Sequence, residues 1–397
     1  MSSAMDRSQA QQAIDQALQT GQVELDLSGL QLTELPSELG QLTQLQRLDL
    51  SFNQLTELPA WIAQLTNLQE LNLAVNNLTA PTALPPEIGQ LTNLASLDLS
   101  NNGLTELPTG LGPLTSLRRL ILEHNELPDL PAWFGQLTNL EILDLGSNAL
   151  SQVPAALAQL TNLRELVLQD NQLAELPTWL GQLTSLQLLL LGGTGLSPLP
   201  TVIGELSNLQ WLDFAGNQLT GLPAWFSRLT NLKKLGLQDN ELTGLPAWFG
   251  QLTTLEVLDL GTNKLPALPP GFGQLANLHT LDLRRNQLTM MPPEFGQLTG
   301  LHALDLSDNQ LAILPPEIGQ LTNLEVLKLA RNQLRVLPPE AGQLTNLHEL
   351  DLDGNPLEEP LPGLIATGIQ AVLAFLQSLT AHTHATNRGT SPGQPSP

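Results

Sequence analysis

Residues 324–346 read LEVLKLARNQLRVLPPEAGQLTN. Around Leu327 and Leu329 apolar and polar side chains alternate, which describes a short strand with one face inward and the other in solvent. Asn332 follows at the turn, where a buried side-chain amide offers donors and an acceptor to backbone groups of its own coil and of its neighbour. Leu337 and Pro338 set an extended segment, because proline fixes φ and biases its predecessor away from helix. Gly342 is then expected to permit the tight return that brings the chain back to its next strand.

The same unit recurs along nearly the whole chain. An Asn followed two residues later by Leu stands at Asn53, Asn76, Asn102, Asn125, Asn148, Asn171, Asn217, Asn240, Asn263, Asn286, Asn309, Asn332 and Asn355, with Thr194 in the one missing slot. The interval is 23 residues throughout, except for 26 between Asn76 and Asn102, where the surplus falls in 79–85. A degenerate first unit at Leu25, Leu27, Leu32 and Leu35 makes fifteen copies. One unit cannot bury its leucines alone, so the copies must stack on a shared core, with stability close to a sum of unit and nearest-neighbour terms.

Composition narrows the function. The chain has 397 residues, 38 acidic against 15 basic, and a formal net charge of −23. That balance repels a phosphate backbone and offers no basic stripe, so neither nucleic acid nor an anionic membrane is expected as a partner. With no cysteine there is no disulfide framework, thiolate metal site or thiol nucleophile. No apolar run in 1–21 is long enough for a signal peptide, and 361–381 is too polar and lacks basic flanks for a membrane span. A cytoplasmic location is the expectation.

The repeat resembles the intracellular 23-residue type of leucine-rich repeat, whose L-P-x-x-I-G-Q-L-T-N-L signature stands here at Leu314–Leu324. The resemblance implies an α/β solenoid, a right-handed horseshoe with a parallel concave sheet about 70 Å long. Segment 10–27, and segment 354–379 with its GNPL and GIQAVLAFLQSL, are similar to the entry and exit of the repeat region in bacterial Roco proteins, where the exit helix leads to a GTPase domain. Here the sequence given stops at Pro397 and contains no G-x-x-x-x-G-K-[ST], so no GTPase activity is expected. The domain plan is a capping helix at 1–21, the solenoid at 22–361, a capping helix at 362–379 and a disordered tail at 380–397. Ile14, Ala17 and Leu18 give the first cap an apolar stripe, and Ile365, Ile369, Leu373 and Leu376 give the last one another.

Catalysis needs convergent groups, and none are apparent. His279 and His302 share one slot of adjacent units, roughly 5 Å apart, but the next slot is Glu325 and a metal site needs three or four ligands. No metal and no cofactor is expected. Asp fills the outward strand position at Asp26, Asp49, Asp98, Asp144, Asp213, Asp259, Asp282, Asp305 and Asp351, expected as an exposed, screened face, with a track for a cation or basic peptide as the alternative. Five tryptophans, Trp61, Trp133, Trp179, Trp225 and Trp248, follow the Leu-Pro segment on the convex side, padding neighbouring coils or forming a docking stripe.

An apolar break in the outward strand positions stands out instead: Ile121, Ile142, Val167, Leu188, Leu190 and Trp211, rimmed by Arg119, Arg164, Lys233 and Lys234. Such a patch suits a protein partner. Repeats of this kind in Ras-scaffold and plant disease-resistance proteins engage signalling proteins. The resemblance therefore implies a monomeric, non-catalytic scaffold for a small GTPase or another signalling protein. A fragment of a Roco-type system acting with a separately encoded catalytic chain is the alternative. The glycines around Thr194 mark the expected soft joint of the array.

Overall fold

A computed structural model describes residues 2–80 and 82–387, with side chains for 8–80 and 82–379. The chain divides into two compact units, Met1–Leu209 and Gln210–Pro397. In the first, α1 (Ser2–Thr20) precedes eight strands: β1 (Glu24–Asp26), β2 (Arg47–Asp49), β3 (Glu70–Asn72), β4 (Ser96–Asp98), β5 (Arg119–Ile121), β6 (Ile142–Asp144), β7 (Glu165–Val167) and β8 (Leu188–Leu190). The second carries seven: β9 (Trp211–Asp213), β10 (Lys234–Gly236), β11 (Val257–Asp259), β12 (Thr280–Asp282), β13 (Ala303–Asp305), β14 (Val326–Lys328) and β15 (Glu349–Asp351). Within each unit every strand pairs in parallel with the next in chain order, and equivalent residues of successive coils face each other, as Leu258 does Leu281. Between strands the chain returns through a short 3-10 helix that begins after the Leu-Pro segment, as at Pro316–Gln320.

The leucines of each coil are buried, and in the second unit Phe249, Phe272 and Phe295 stack down the core with ring centroids 6.2 and 6.4 Å apart. The Asn column performs the task its position demands. Asn263 Nδ2 donates to the carbonyls of Leu237, Leu260 and Gly261 at 2.9, 3.1 and 3.3 Å, while its Oδ1 accepts the Leu242 N–H at 3.0 Å. Each Asn thus ties its own turn to the preceding coil. The residue before each Asn is left-handed, including Val75 at φ 56° and Thr262 at φ 53°. Those conformations are costly for branched side chains and are held by the ladder on either side. A second ladder comes from the Asn that closes the Gln-Leu-Thr-Asn segment: Asn323 Nδ2 donates to Thr299 O at 2.9 Å, and Asn346 to Thr322 O at 2.8 Å.

The glycine of the return works by a different route from the one expected. It lies in the 3-10 helix without a positive φ, and what it supplies is room. A Cβ on Gly273 would collide with Glu294 O of the next coil, and one on Gly319 with Glu340 O. Coils approach that closely only where the side chain is missing.

The ends also differ in detail. In α1 the buried stripe is Ala10, Ile14 and Ala17, whereas Leu18 is exposed. The C-terminal cap is not one helix over 362–379: α2 (Leu361–Ile365) ends before Gly368, which has a φ of 113°, and α3 (Ile369–Asn387) follows. Val372, Leu373 and Leu376 are buried, and Gln377 Nε2 donates to Gly342 O at 2.7 Å, covering the last coil. Residues 380–387, placed in a disordered tail from sequence, continue α3, because no Gly or Pro interrupts the helix before Asn387. The remainder of that tail, 388–397, lies outside the described residues. No helix among the described residues is long and apolar enough to cross a membrane.

Candidate functional site

The outward side chains of the strands form the broad face of each sheet, and in the first unit this face changes character along the stack. Over β1 to β4 it is polar and mostly acidic. Arg47 is held between Glu24 at 3.3 Å and Glu70 at 3.2 Å, beside a shallow depression of about 470 Å³ lined by Asp26, Asp49 and Asp98 among others. Over β5 to β8 it turns apolar. The register places Val167 against Leu190, and sets Asp144 between Ile121 and Val167. Ile142, Val167, Leu188 and Leu190 are half-buried and open to solvent, whereas Ile121 is only 7% exposed and lines the patch rather than presenting a surface. Arg119 and Arg164 are exposed beside it; Arg164 reaches Glu141 at 3.7 Å, and Arg118 also pairs with Glu141.

The sequence grouped this patch with Trp211, Lys233 and Lys234, which the structure places in the second unit. There Trp211 is 37% exposed, and Lys234 Nζ lies 4.7 Å over its ring. Lys233 pairs with Glu256 at 3.2 Å.

The aspartate column is not the screened surface expected from sequence. Each carboxylate folds over the strand end to accept a backbone N–H two residues on, as Asp144 does from Gly146 at 2.9 Å and Asp282 from Arg284 at 2.9 Å. Half-buried in that role, Asp144 and Asp282 are pushed up to about 6, chiefly by burial and against the opposing effect of the accepted hydrogen bond. Burial likewise raises Asp213 and Asp259. Where Ile121, Val167 or Leu190 replaces Asp, no such bond can form. The apolar stretch therefore brings uncapped strand ends together with exposed aliphatic side chains.

His279 and His302 stack with ring centroids 5.4 Å apart, and His302 Nδ1 lies 2.7 Å from Gly300 O, a contact that assigns the ring proton to Nδ1. Among the described residues no three His, Cys, Asp or Glu side chains are arranged to hold a metal ion. The tryptophans pack against preceding coils: a Cβ on Gly40 would meet the Trp61 ring at 3.1 Å, and Trp248 stacks on Phe226 with ring centroids 6.3 Å apart.

This architecture defines a class. A model of the leucine-rich repeat region matches residues 71–175, 178–266 and 258–353, a two-copy repeat model matches 43–86, and a single-repeat model matches 346–367. The chain belongs to the leucine-rich-repeat proteins. Its fold is shared by a leucine-rich-repeat protein of Leptospira interrogans, 39% identical, with a TM-score of 0.81 over 89% of this chain and 96% of that one. The leucine-rich-repeat ectodomain of a membrane receptor kinase from Arabidopsis thaliana, in complex with CASPARIAN STRIP INTEGRITY FACTOR 2, is 34% identical with a TM-score of 0.56, over 82% of this chain and 46% of that one. The Drosophila Toll–Spatzle complex aligns at 26% identity and a TM-score of 0.66, over 80% and 45%. No curated protein matches the chain. Leucine-rich-repeat domains generally engage protein partners and are typically non-catalytic.

Proposed function

We propose that the chain is a non-catalytic scaffold that binds a protein partner across the sheet face of β5 to β8. The site would be used in intracellular signalling by a monomeric protein, with a small GTPase or another signalling protein as partner. The observation that carries this reading is the replacement of capping Asp by Ile121, Val167 and Leu190 in three of four successive strands, with Ile142 and Leu188 on the same face. Exposed aliphatic groups and uncapped N–H groups side by side suit an extended or loop segment that brings apolar side chains and backbone carbonyls. Arg119 and Arg164 at the edge favour a partner with acidic groups around its apolar centre.

The repeat itself supplies a clean test. Val167→Asp with Leu190→Asp restores the residue that most coils carry, so the variant keeps the fold and gains two strand-end caps. Capture of the partner from a source lysate should fall to background while the circular dichroism spectrum stays that of the parent; the melting temperature at pH 7.5 is expected to fall slightly, because a carboxylate at position 167 lies beside the half-buried Asp144. Undiminished capture would remove this face from consideration.

A further inference from the structure

The second unit carries an apolar ridge on a different side of the coil. Few large hydrophobic side chains are exposed among the described residues, and three of them, Met290, Ile313 and Val336, at 59%, 62% and 50%, occupy one position in consecutive coils. In other coils that position holds the exposed Glu57, Glu106 and Glu175. The coils that bear the ridge follow β12, β13 and β14, which pair in register, so neighbouring ridge residues are spaced by about one strand separation, ~4.8 Å.

A second row runs parallel to it. Each ridge residue is followed by a proline pair and a glutamate: Glu294, Glu317 and Glu340. The first proline of each pair is extended, with φ and ψ of −69° and 148° at Pro292 and −70° and 148° at Pro315. At about 3.1 Å per residue, the four-residue step, whose last two residues already lie in the 3-10 helix, sets the glutamate row no more than ~12 Å from the ridge. A depression of about 270 Å³ lies along this row, lined by Pro316, Glu317, Gly319, Gln320, Glu340 and Gln343. The nearby bases are engaged elsewhere: Lys264 with Glu241, Arg285 and Arg331 with Asp308, Lys328 with Glu349, and Arg335 with Glu358.

We propose that this surface docks an amphipathic α-helix of another protein, lying along the stacking direction with apolar residues on the Met290–Ile313–Val336 ridge and lysines or arginines over Glu294, Glu317 and Glu340. The dimensions fit. A helix rises about 5.4 Å per turn, close to one turn per coil, so side chains at i, i+3 or i+4, and i+7 meet three successive ridge residues with a drift of only ~1 Å. Its diameter of about 10–12 Å is enough to reach from the ridge to the glutamate row. Three carboxylates without an ion-pair partner among the described residues, all on one side, select a basic flank and disfavour an acidic lipid surface. The surface lies within the second unit and is independent of the sheet face of β5 to β8.

The test uses the full chain and a designed probe, an alanine-based helical peptide with leucines every third or fourth residue and lysines along one flank. Binding is followed by fluorescence anisotropy. The lysine peptide should bind with a Kd in the micromolar range, and Ile313→Glu, which installs the residue of Glu57, Glu106 and Glu175, should weaken it by about tenfold or more at unchanged melting temperature. Glu317→Gln with Glu340→Gln should weaken it less and flatten its salt dependence. Equal binding by Ile313→Glu, or equal binding of a peptide with glutamates in place of the lysines, would overturn the proposal. So would sedimentation showing that the ridge instead joins two copies of this chain, or phosphatidylcholine vesicles that bind through it in preference to the peptide.

Discussion

Asn263→Ala isolates what one rung of the Asn ladder contributes. The side chain is 7% exposed and makes four hydrogen bonds, but their loss is not four orphaned groups. Leu237 O also accepts from Asn240 Nδ2 at 3.1 Å, Leu260 O from Asn286 Nδ2 at 2.9 Å, and Gly261 O from the Asp239 N–H at 3.0 Å. Only the Leu242 N–H loses its sole partner. An orphaned buried donor costs ~1–3 kcal/mol, and the shared carbonyl bonds add a smaller amount, so the rung contributes about 2–4 kcal/mol. Solenoids open locally, so amide exchange at Leu242 reads this cost more directly than a global melt. Exchange there should accelerate roughly 30- to 1000-fold. Asn263→Thr should fall between, because its hydroxyl can keep the own-coil bond that Thr194 Oγ1 makes to Leu191 O at 2.7 Å. Asn263→Asp should be worse than Thr at neutral pH, since it turns a carboxylate toward three carbonyls. Less than threefold acceleration in Asn263→Ala would show that the ladder is decorative and the leucine core holds the turn unaided.

Two further outcomes follow from the strand ends and the Thr194 turn. Asp144 titrates near 6 in the folded chain, above its ordinary value, so between about pH 4 and 6 the folded state binds more protons than the unfolded one and this group's contribution improves on acidification. Asp144→Asn keeps the cap, as Asn72 does for the Ala74 N–H at 3.0 Å, and should raise the melting temperature at pH 7.5 while reducing its change between pH 7.5 and 5; an unchanged slope refutes the assignment. At 192–195 a Thr hydroxyl replaces an Asn amide, and Gly193 and Gly195 both take positive φ, so these amides should exchange faster than those of 261–264. Equal rates would refute the soft joint.

The fold was legible because the repeat states its own structure many times. Leu-x-Leu can only be a half-buried strand, and an Asn column at strict spacing has no other use than to tie coils together. What sequence missed were effects of neighbouring coils on one another. The Gly273 glycine reads as a flexible turn until the Glu294 carbonyl above it is placed. Asp144 reads as a solvated strand residue until its carboxylate is seen bonded to Gly146 and walled by Ile121 and Val167. Of the candidate patch, alternation puts Val167, Leu188 and Leu190 at outward strand positions, where they are half-buried, whereas Ile121 in the same position of its strand is only 7% exposed, a difference no single-strand pattern carries. The ridge at Met290, Ile313 and Val336 is a column in the sequence too, but it lies in the irregular segment after the Asn turn, where neither strand alternation nor helical period marks a residue as exposed. The helix continues to Asn387 because a polar segment with no helix breaker can extend a helix already nucleated by the apolar stripe before it.

Site-specific photo-crosslinking tests most directly whether the sheet face of β5 to β8 meets a protein. A photoreactive phenylalanine analogue placed at Leu188, outward in β8, is compared with the same residue at Ala132, exposed in the return segment of the same unit. A discrete adduct with a second protein from Leu188, absent from Ala132 and lost on adding Val167→Asp, is the predicted result. Adducts from Ala132 and none from Leu188 would contradict the account and place partner binding on the opposite side of the coil.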